Sequence, residues 1–389
     1  MPDYIEKEKS SMEKVNFGVT KRGEEASLYV LENKNTTKIK VTDYGATLVS
    51  LLFADKAGVQ KDLVLGYDNV TGYEEHTSYF GAIIGRNGNR IKDSRFTING
   101  KEYRIDENEN HNNLHSGKNG FNTVIWEVRE HTDNSITFYH YSSETEQKFP
   151  GNMEITVTYT IADDDTLHIV YNGKADADTV MNCTNHSYFN LNGHESGSIE
   201  GQVLQIFADA YTPVVDSSAI PTGEIASVEG TPMDFRTEKQ IGQDIRADFE
   251  QLHFTGGYDH NYVLGRPGER KIMANAYCEE SGIAMEAATD CCGVQFYAGN
   301  FIGDQTGKGG AQYHDRCGFC LESQFYPNAV NEPNFPSTVV KAGDTYHTET
   351  TYRFYTRCPY ATEECRKKQP EWKDMGNGRF LACHHPLQV

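Results

Sequence analysis

The chain has 389 residues and a formal net charge of −20 at pH 7, with 36 Lys and Arg against 56 Asp and Glu. Nucleic-acid affinity depends mainly on clustered Lys and Arg, so this charge argues against that class of protein. Hydrophobic residues form 37% of the chain, including 23 Tyr and 19 Phe, which is enough for a core. No apolar run approaches the roughly 18 residues of a membrane helix. We therefore expect an acidic globular protein without nucleic-acid or membrane partners.

The N-terminus carries mixed charges from Asp3 to Lys9 before any apolar stretch. A signal peptide has a basic start followed by a continuous apolar segment, so this sequence does not predict one. The nine cysteines are odd in number and spread through a large chain, which favours reduced thiols over a disulfide framework. A cytoplasmic location is the expectation.

Alternation with a period of two dominates the chain. Residues 153–161 alternate strictly between apolar and polar side chains, and residues 167–171 repeat the pattern after three aspartates. This pattern predicts a hairpin of half-buried strands. Asn99-Gly100 predicts another hairpin, because Asn-Gly supplies the two positive-φ positions of a tight turn. We expect an all-β fold, mostly antiparallel, with few short helices.

Helical spacing is scarce. Ile241, Ile245, Phe249 and Leu252 recur at intervals of four, four and three residues. This spacing predicts one amphipathic helix between Thr237 and Leu252.

The organisation along the chain suggests one domain with two extensions. Residues 1–24 are charged and lack periodicity, so we expect them to be loosely held. Residues 25–357 contain no Pro- or Ser-rich linker and are expected to form the single β domain. Residues 358–389 lack sustained alternation and form an extension whose role the sequence does not indicate.

The cysteine and histidine spacings do not predict a metal centre. Cys317-Gly-Phe-Cys320 has redox or zinc spacing, but a second pair at ribbon spacing is absent. On a strand, odd spacing would also send the two thiols to opposite faces. The C-terminal group Cys358, Cys365, Cys383, His384 and His385 could also supply zinc ligands, but its spacing is irregular. Neither a metal nor a cofactor is predicted.

Two segments combine titratable side chains with aromatic neighbours. His186 lies in Asn185-His-Ser-Tyr-Phe-Asn190, where amides alternate with rings in a way that suits neither a plain loop nor a core strand. Glu322 follows Phe319-Cys-Leu321, so a strand there would desolvate the carboxyl group and favour a general base. The alternatives are a structural histidine for His186 and a solvent-facing strand edge for Glu322. His115, Asp259 and Asn89-Arg90 occupy similarly polar segments.

Seven ordered motifs together resemble the aldose 1-epimerase (galactose mutarotase) family, over about residues 25–357. They are Gly85-Arg-Asn-Gly-Asn-Arg-Ile91, Asn113-Leu-His115 with Gly117, Thr184-Asn-His-Ser-Tyr-Phe-Asn-Leu191, Pro221-Thr-Gly-Glu224, Tyr258-Asp-His-Asn261, Gly293-Val-Gln-Phe-Tyr297 with Gly299-Asn300, and Gly318-Phe-Cys-Leu-Glu322. The resemblance implies a large antiparallel β-sandwich of the galactose mutarotase-like kind, in agreement with the period-two pattern.

The resemblance also implies an activity and a set of roles. The protein would interconvert the α and β anomers of free hexoses such as galactose and glucose. Glu322 would remove the proton from the C1 hydroxyl, His186 would protonate the ring oxygen, and His115 would stabilise charge near the ring. The implied binders of the sugar hydroxyls are Asn89, Arg90, Tyr188, Asp259 and Gln295. The expected partner is an aldose, and the protein would act as a monomer or homodimer.

Two other functions fit the same fold. A hexose-6-phosphate 1-epimerase should bring additional Lys or Arg to the pocket to neutralise the phosphate. A non-catalytic sugar sensor or lectin would have no reason to keep both an acid and a base.

Overall fold

The computed structural model describes residues 13–356 together with the strands at 372–374 and 380–382. The strands of the first half are β1 (Glu13–Val19), β2 (Glu25–Glu32), β3 (Lys38–Thr42), β4 (Thr47–Ala54), β5 (Gln60–Asp62), β6 (Ile83–Ile84), β7 (Arg90–Ile91), β8 (Arg95–Ile98), β9 (Lys101–Arg104), β10 (Asn113–Leu114), β11 (Glu127–His131), β12 (Ser135–Ser142), β13 (Met153–Ile161), β14 (Thr166–Ala175), β15 (Thr179–Val180) and β16 (Thr184–Asn185).

The strands of the second half are β17 (Val203–Ile206), β18 (Ala210–Thr212), β19 (Ala226–Ser227), β20 (Lys239–Gln240), β21 (Asp259–Val263), β22 (Lys271–Tyr277), β23 (Ile283–Thr289), β24 (Gly293–Tyr297), β25 (Gln305–Thr306), β26 (Gln312–Tyr313), β27 (Cys320–Gln324), β28 (Val339–Val340), β29 (Thr345–Thr356), β30 (Trp372–Asp374) and β31 (Phe380–Ala382). The helices are short: α1 (Val70–Glu75), α2 (Glu250–Thr255), and 3-10 turns at Lys92–Ser94, Phe121–Thr123, Lys308–Gly310 and Ala329–Asn331.

Three sheets surround the main core. The largest has nine strands in the order β11-β12-β13-β14-β29-β23-β22-β17-β20, and the others have five strands each, β1-β2-β3-β4-β5 and β19-β18-β21-β24-β27. The largest apolar cluster draws buried side chains from all three, such as Val157, Leu48 and Phe296. The Tyr352 hydroxyl of β29 donates to the Leu321 carbonyl of β27 at 2.7 Å and ties two of the sheets together. The all-β prediction is confirmed.

Both predicted hairpins are present. β13 pairs with β14 in an unbroken antiparallel register from Met153↔Ala175 to Ile161↔Leu167. β8 pairs with β9 across Asn99 and Gly100, whose φ angles of 51° and 78° are those that the tight turn requires.

The predicted helix between Thr237 and Leu252 is wrong. Residues 241–249 form successive turns, and the helix begins only at Glu250. The backbone N–H groups of Ile241 and Gly242 donate to the carbonyl groups of Gln202 and Glu200, so they bind a neighbouring segment instead of a helix. Ile241, Ile245 and Leu252 are nevertheless buried, and the apolar spacing therefore reflects packing of the turns against the core.

Each of the two terminal segments contains at least one paired strand. β1 lies inside the segment 1–24 that was expected to be loosely held, and it pairs with β2 from Glu13↔Val30 to Val19↔Glu25. β30 pairs with β31 within the C-terminal extension. The possible zinc ligands Cys358, Cys365, Cys383, His384 and His385 lie outside the described residues. None of the helices described has the length and apolar character needed to cross a membrane.

Candidate active site

Three neighbouring strands of the second five-stranded sheet form the floor of the site. Their antiparallel register places Asn261, Gln295 and Glu322 side by side on β21, β24 and β27. Because side chains alternate along a strand, the intervening Phe296 and Leu321 point the other way and are buried in the core. The sheet thus exposes one polar face toward the site and anchors the opposite face by packing.

Glu322 occupies an enclosed position on this floor. The residue is 2% exposed, so the solvent-facing alternative is wrong. Its Oε1 atom lies 3.7 Å from Nε2 of His186. Its Oε2 atom has no hydrogen-bond partner among the described residues. A buried carboxylate oxygen without a partner costs free energy, so it is suited to receive a ligand hydroxyl group.

The segment that carries His186 is held by the polar residues that surround it in the sequence. The His186 backbone N–H donates to Ala82, and its carbonyl accepts from Gly81. The Asn185 side chain donates to the Gly81 carbonyl and accepts from both the backbone N–H and the hydroxyl of Ser187. The amides of this motif therefore fix the backbone, while its aromatic residues pack.

Two tyrosine rings stack against the His186 imidazole. The Tyr188 ring lies 5.0 Å from it, centroid to centroid, with an interplanar angle of 20°, and the Tyr79 ring lies 5.8 Å away at 23°. The His115 ring meets it edge-on at 5.3 Å. This packing restrains the plane of the imidazole and excludes water from it.

His115 and Asn89 are joined by two hydrogen bonds, one of them to the imidazole ring. The Asn89 backbone N–H donates to Nδ1 of His115 at 3.1 Å, and the His115 N–H donates to the Asn89 carbonyl at 3.0 Å. Both residues have positive φ angles, 59° for Asn89 and 53° for His115, a region that is costly for histidine. Because Nδ1 accepts a hydrogen bond and burial lowers the pKa of His115 well below its ordinary value, the neutral ring carries its proton on Nε2.

The two arginines of the Gly85–Ile91 motif serve different purposes. Arg86 is fully buried and donates to the carbonyl groups of Ser142 and Pro150, which anchors the loop. Arg90 faces the site and binds the Glu109 carboxylate through two hydrogen bonds of 2.5 and 2.8 Å. Its guanidinium is therefore held in place and largely neutralised.

Asp259 and Gln295 form a second polar pair. The Gln295 amide donates to Asp259 at 2.7 Å and accepts from Gln324 at 3.0 Å. Burial raises the pKa of the Asp259 carboxyl, while Arg90 and the Gln295 amide oppose the shift. Gln295 thus orients Asp259 from behind.

The site opens into a cavity of about 370 Å³, a size typical of small-molecule sites. Its wall carries carboxylates, three histidines, aromatic rings and a single guanidinium group. The lining residues are Glu75, His76, Thr77, Ser78, Tyr79, Asn89, Arg90, Glu109, Leu114, His115, His186, Tyr188, Asp259, Tyr297, Phe301, Ile302, Asp304, Gln305 and Glu322.

The Glu322–His186 pair is arranged to hold one proton. Burial, followed by repulsion from Asp259, raises the pKa of Glu322 well above its ordinary value, although Arg90 opposes the shift. Burial lowers the pKa of His186 to about 4. Both shifts disfavour the charged forms, so between these two pKa values the pair binds a single proton. One member can then act as an acid while the other acts as a base.

His115, His186 and Glu322 also bring three potential metal ligands within 4.8 Å of one another. The donor set does not fit a metal ion. A neutral imidazole binds a metal through a nitrogen without a proton, but Nδ1 of His115 is occupied by the Asn89 N–H and Nε2 carries the proton.

Comparisons with known proteins identify the family. The family model for aldose 1-epimerase matches residues 27–353. Galactose mutarotase from Bos taurus is 40% identical over 318 residues, which cover 82% of this chain and 91% of the bovine protein. The chain belongs to the aldose 1-epimerase family. Aldose 1-epimerase from Escherichia coli K12 is 34% identical over 335 residues, 85% of this chain and 96% of that protein. The structure of the GalM/aldose epimerase homologue from C. elegans superposes with a TM-score of 0.78 at 31% identity, covering 85% of this chain and 99% of the homologue.

The structure gathers most of the residues that the family motifs predict. Seven of them line the cavity, namely Glu322, His186, His115, Asn89, Arg90, Tyr188 and Asp259. Gln295 is not among the lining residues and lies behind Asp259. Tyr79, Glu109 and Phe301 also line the wall, and no sequence motif pointed to them. Tyr297 ends a quoted family motif, so its place on the wall could have been found.

We expect Glu109→Gln to weaken sugar binding in this aldose 1-epimerase family member. The amide cannot form the two charged hydrogen bonds that orient Arg90, so KM should rise about tenfold while kcat changes little. Steady-state kinetics with Glu107→Gln as the matched control would check this, since Glu107 is exposed and contacts His111. A fall in kcat at unchanged KM would contradict a binding role for the Arg90–Glu109 pair.

Proposed function

We propose that this protein is a mutarotase that interconverts the α and β anomers of free aldoses such as galactose and glucose. The observation that carries the proposal is the buried Glu322–His186 pair, 3.7 Å apart at the base of the cavity. The names of its relatives, galactose mutarotase and aldose 1-epimerase, support the same reaction.

The reaction follows from the shared proton. In the reactive form of the pair the shared proton has moved from Glu322, where burial favours it, to His186. The Glu322 carboxylate then removes the proton of the C1 hydroxyl while Nε2 of His186 protonates the ring oxygen. The C1–O5 bond then opens to the aldehyde. Rotation about C1–C2 presents the other face, and the reverse transfers close the ring as the opposite anomer. One proton arrives at the pair as one leaves, so the buried pair keeps the same net charge throughout.

The remaining wall suits an uncharged sugar. His115 presents an Nε2–H donor beside the reacting groups, and we assign it to the ring region. Asn89, Arg90 and Asp259 provide donors and acceptors for hydroxyl groups. The rings of Tyr188 and Tyr297 cover apolar faces of the sugar. Gln295 would act through Asp259, which it orients.

The charge of the wall argues against a phosphorylated substrate. Arg90 is the only Lys or Arg on the wall within the described residues, and Glu109 already binds it. Five carboxylates share that wall, namely Glu75, Glu109, Asp259, Asp304 and Glu322. A phosphate dianion there would meet repulsion instead of the converging cations that such groups require.

We further infer a reducing compartment such as the cytoplasm, and action as a monomer or homodimer. The six cysteines of the described residues, all buried, are free thiols, which supports the first inference.

Polarimetry of freshly dissolved α-D-galactose and α-D-glucose tests the proposed activity. The protein should accelerate the drift of at least one sugar to equilibrium, with the uncatalysed drift as the control. Galactose 6-phosphate should be accelerated far less. Binding without acceleration would instead indicate a sugar sensor, and preference for the phosphorylated sugar would indicate a hexose-6-phosphate epimerase.

Glu322→Gln should reduce turnover by at least about 100-fold while sugar binding remains measurable. The amide retains the shape of the side chain but cannot accept the C1 proton, and such transfers contribute about 10²–10⁴-fold. Glu75→Gln is the matched control, because Glu75 lines the same cavity but is exposed, whereas Glu322 is buried. Retention of more than about a tenth of the wild-type rate would remove Glu322 from the role of base.

The pH profile should report the shared proton. Below the lowered pKa of His186 both groups are protonated and the base is lost, whereas above the raised pKa of Glu322 neither is protonated and the acid is lost. We expect kcat/KM to show no acid limb near about pH 6.5, where a free histidine titrates. It should fall toward about pH 4, and fall again above the raised pKa of Glu322. Rates corrected for buffer catalysis at each pH would check this. An acid limb centred near 6.5 would contradict the shared proton.

A further inference from the structure

The His186 imidazole is contacted at both of its nitrogens by residues of one strand. Sγ of Cys320 lies 3.5 Å from Nδ1 of His186, and Oε1 of Glu322 lies 3.7 Å from Nε2. Cys320 and Glu322 are two residues apart on β27, so their side chains share a face of the strand. Cys320 is fully buried.

The stacked tyrosines do not decide which ring nitrogen faces the sugar. A half-turn of the imidazole about its Cβ–Cγ bond keeps the same plane and the same stacking. It would, however, exchange each nitrogen with a carbon and present a C–H group to Glu322. The sulfur contact exists only in the observed orientation, in which Nε2 faces Glu322.

The thiol is also the group that contacts Nδ1, one of the two nitrogens that can carry the ring proton. Burial, and then repulsion from Glu322 and Asp259, raise the pKa of Cys320 well above its ordinary value, so the group remains S–H. The other titratable groups that face His186 are Glu322, His115, Tyr79, Tyr188 and Tyr297, on the elements packed around it. Among the described side chains that face His186, these five and Cys320, it is Cys320 that is bonded to Nδ1.

We propose that Cys320 is a positioning residue for His186, whose sulfur accepts the Nδ1–H group and keeps Nε2 as the nitrogen that exchanges a proton with the sugar. In this arrangement Nδ1 keeps its proton in both states of the pair. The Nε2 proton moves to the ring oxygen on opening and returns on closure. This inference rests on the proposed function, since it assigns Nε2 as the atom that transfers the proton.

Cys320→Ala tests the proposal by kinetics. Loss of the sulfur should lower kcat about tenfold to hundredfold, as expected for a misplaced reacting group, with KM within about twofold. Cys320→Ser should restore most of kcat, because its oxygen can also accept the Nδ1–H. Cys317→Ala is the matched control: Cys317 is buried in the same apolar cluster, but its sulfur accepts from the His314 N–H instead. Equal activity of the two alanine variants would overturn the proposal.

A ¹⁵N spectrum of the histidine side chains separates this role from a structural one. In the wild-type protein at neutral pH, the His186 signals, assigned by their loss in His186→Asn, should show a protonated Nδ1 and a bare Nε2. Cys320→Ala should shift the proton toward Nε2. A wild-type spectrum with the proton on Nε2 would overturn the proposal without any cysteine variant. Absence of mutarotase activity in the wild-type protein would instead refute the proposed function, and the spectrum would still test the tautomer.

Discussion

The sharing of one proton between Glu322 and His186 is the constraint on which the rest of the site depends. Neither side chain is stable as a charged group in so dry a place unless the other compensates it. The pKa of the carboxyl is raised and that of the imidazole is lowered by the same burial. Mutarotation needs an acid and a base of matched strength that recover their protonation states in every turnover. Desolvation alone creates such a pair here, whereas two solvent-exposed side chains would keep their ordinary pKa values. The surroundings must then provide rigidity without adding charge.

The β-sheet provides that rigidity through alternation. On β27, Leu321 faces the core and its carbonyl accepts from Tyr352, while Glu322 beside it faces the cavity. Any shift of the register by one residue would send the carboxyl group into the core and a leucine into the site, so the packing that stabilises the domain also places the base. His186 itself lies just beyond the short strand β16. Its segment is held by side-chain amides, which explains the density of asparagine in its motif.

The sequence allowed the hairpins to be predicted because period-two alternation and Asn-Gly turns are local signals. The helical spacing of Ile241 and Ile245 was misleading, because both residues bury their side chains from turns. The N–H groups of Ile241 and Gly242 bind another segment instead of continuing a helix. In the site, the family motifs identify side chains within their own segments but give no information on residues in the loops between them. Glu109 and Tyr79 belong to no quoted motif, and Glu109 reaches Arg90 across 19 residues of sequence. Gln295 lies in a motif, yet only the geometry places it behind Asp259.

Among the residues that the structure describes, no partner that would trap one protonation state lies where it would act. A free guanidinium beside Glu322 would hold the carboxylate in its charged form, but Arg90 is bound by Glu109 at 2.8 Å. A carboxylate at Nδ1 of His186 would stabilise the imidazolium, as in catalytic triads that generate a strong base, but a thiol occupies that position. Sulfur is a weak acceptor, so it orients the ring with little effect on its acidity. Mutarotation runs in both directions through the same two groups, and a site that favoured either charged form strongly would slow one of its half-reactions. The arrangement around the pair therefore follows from the reversibility of the reaction as much as from the chemistry of ring opening.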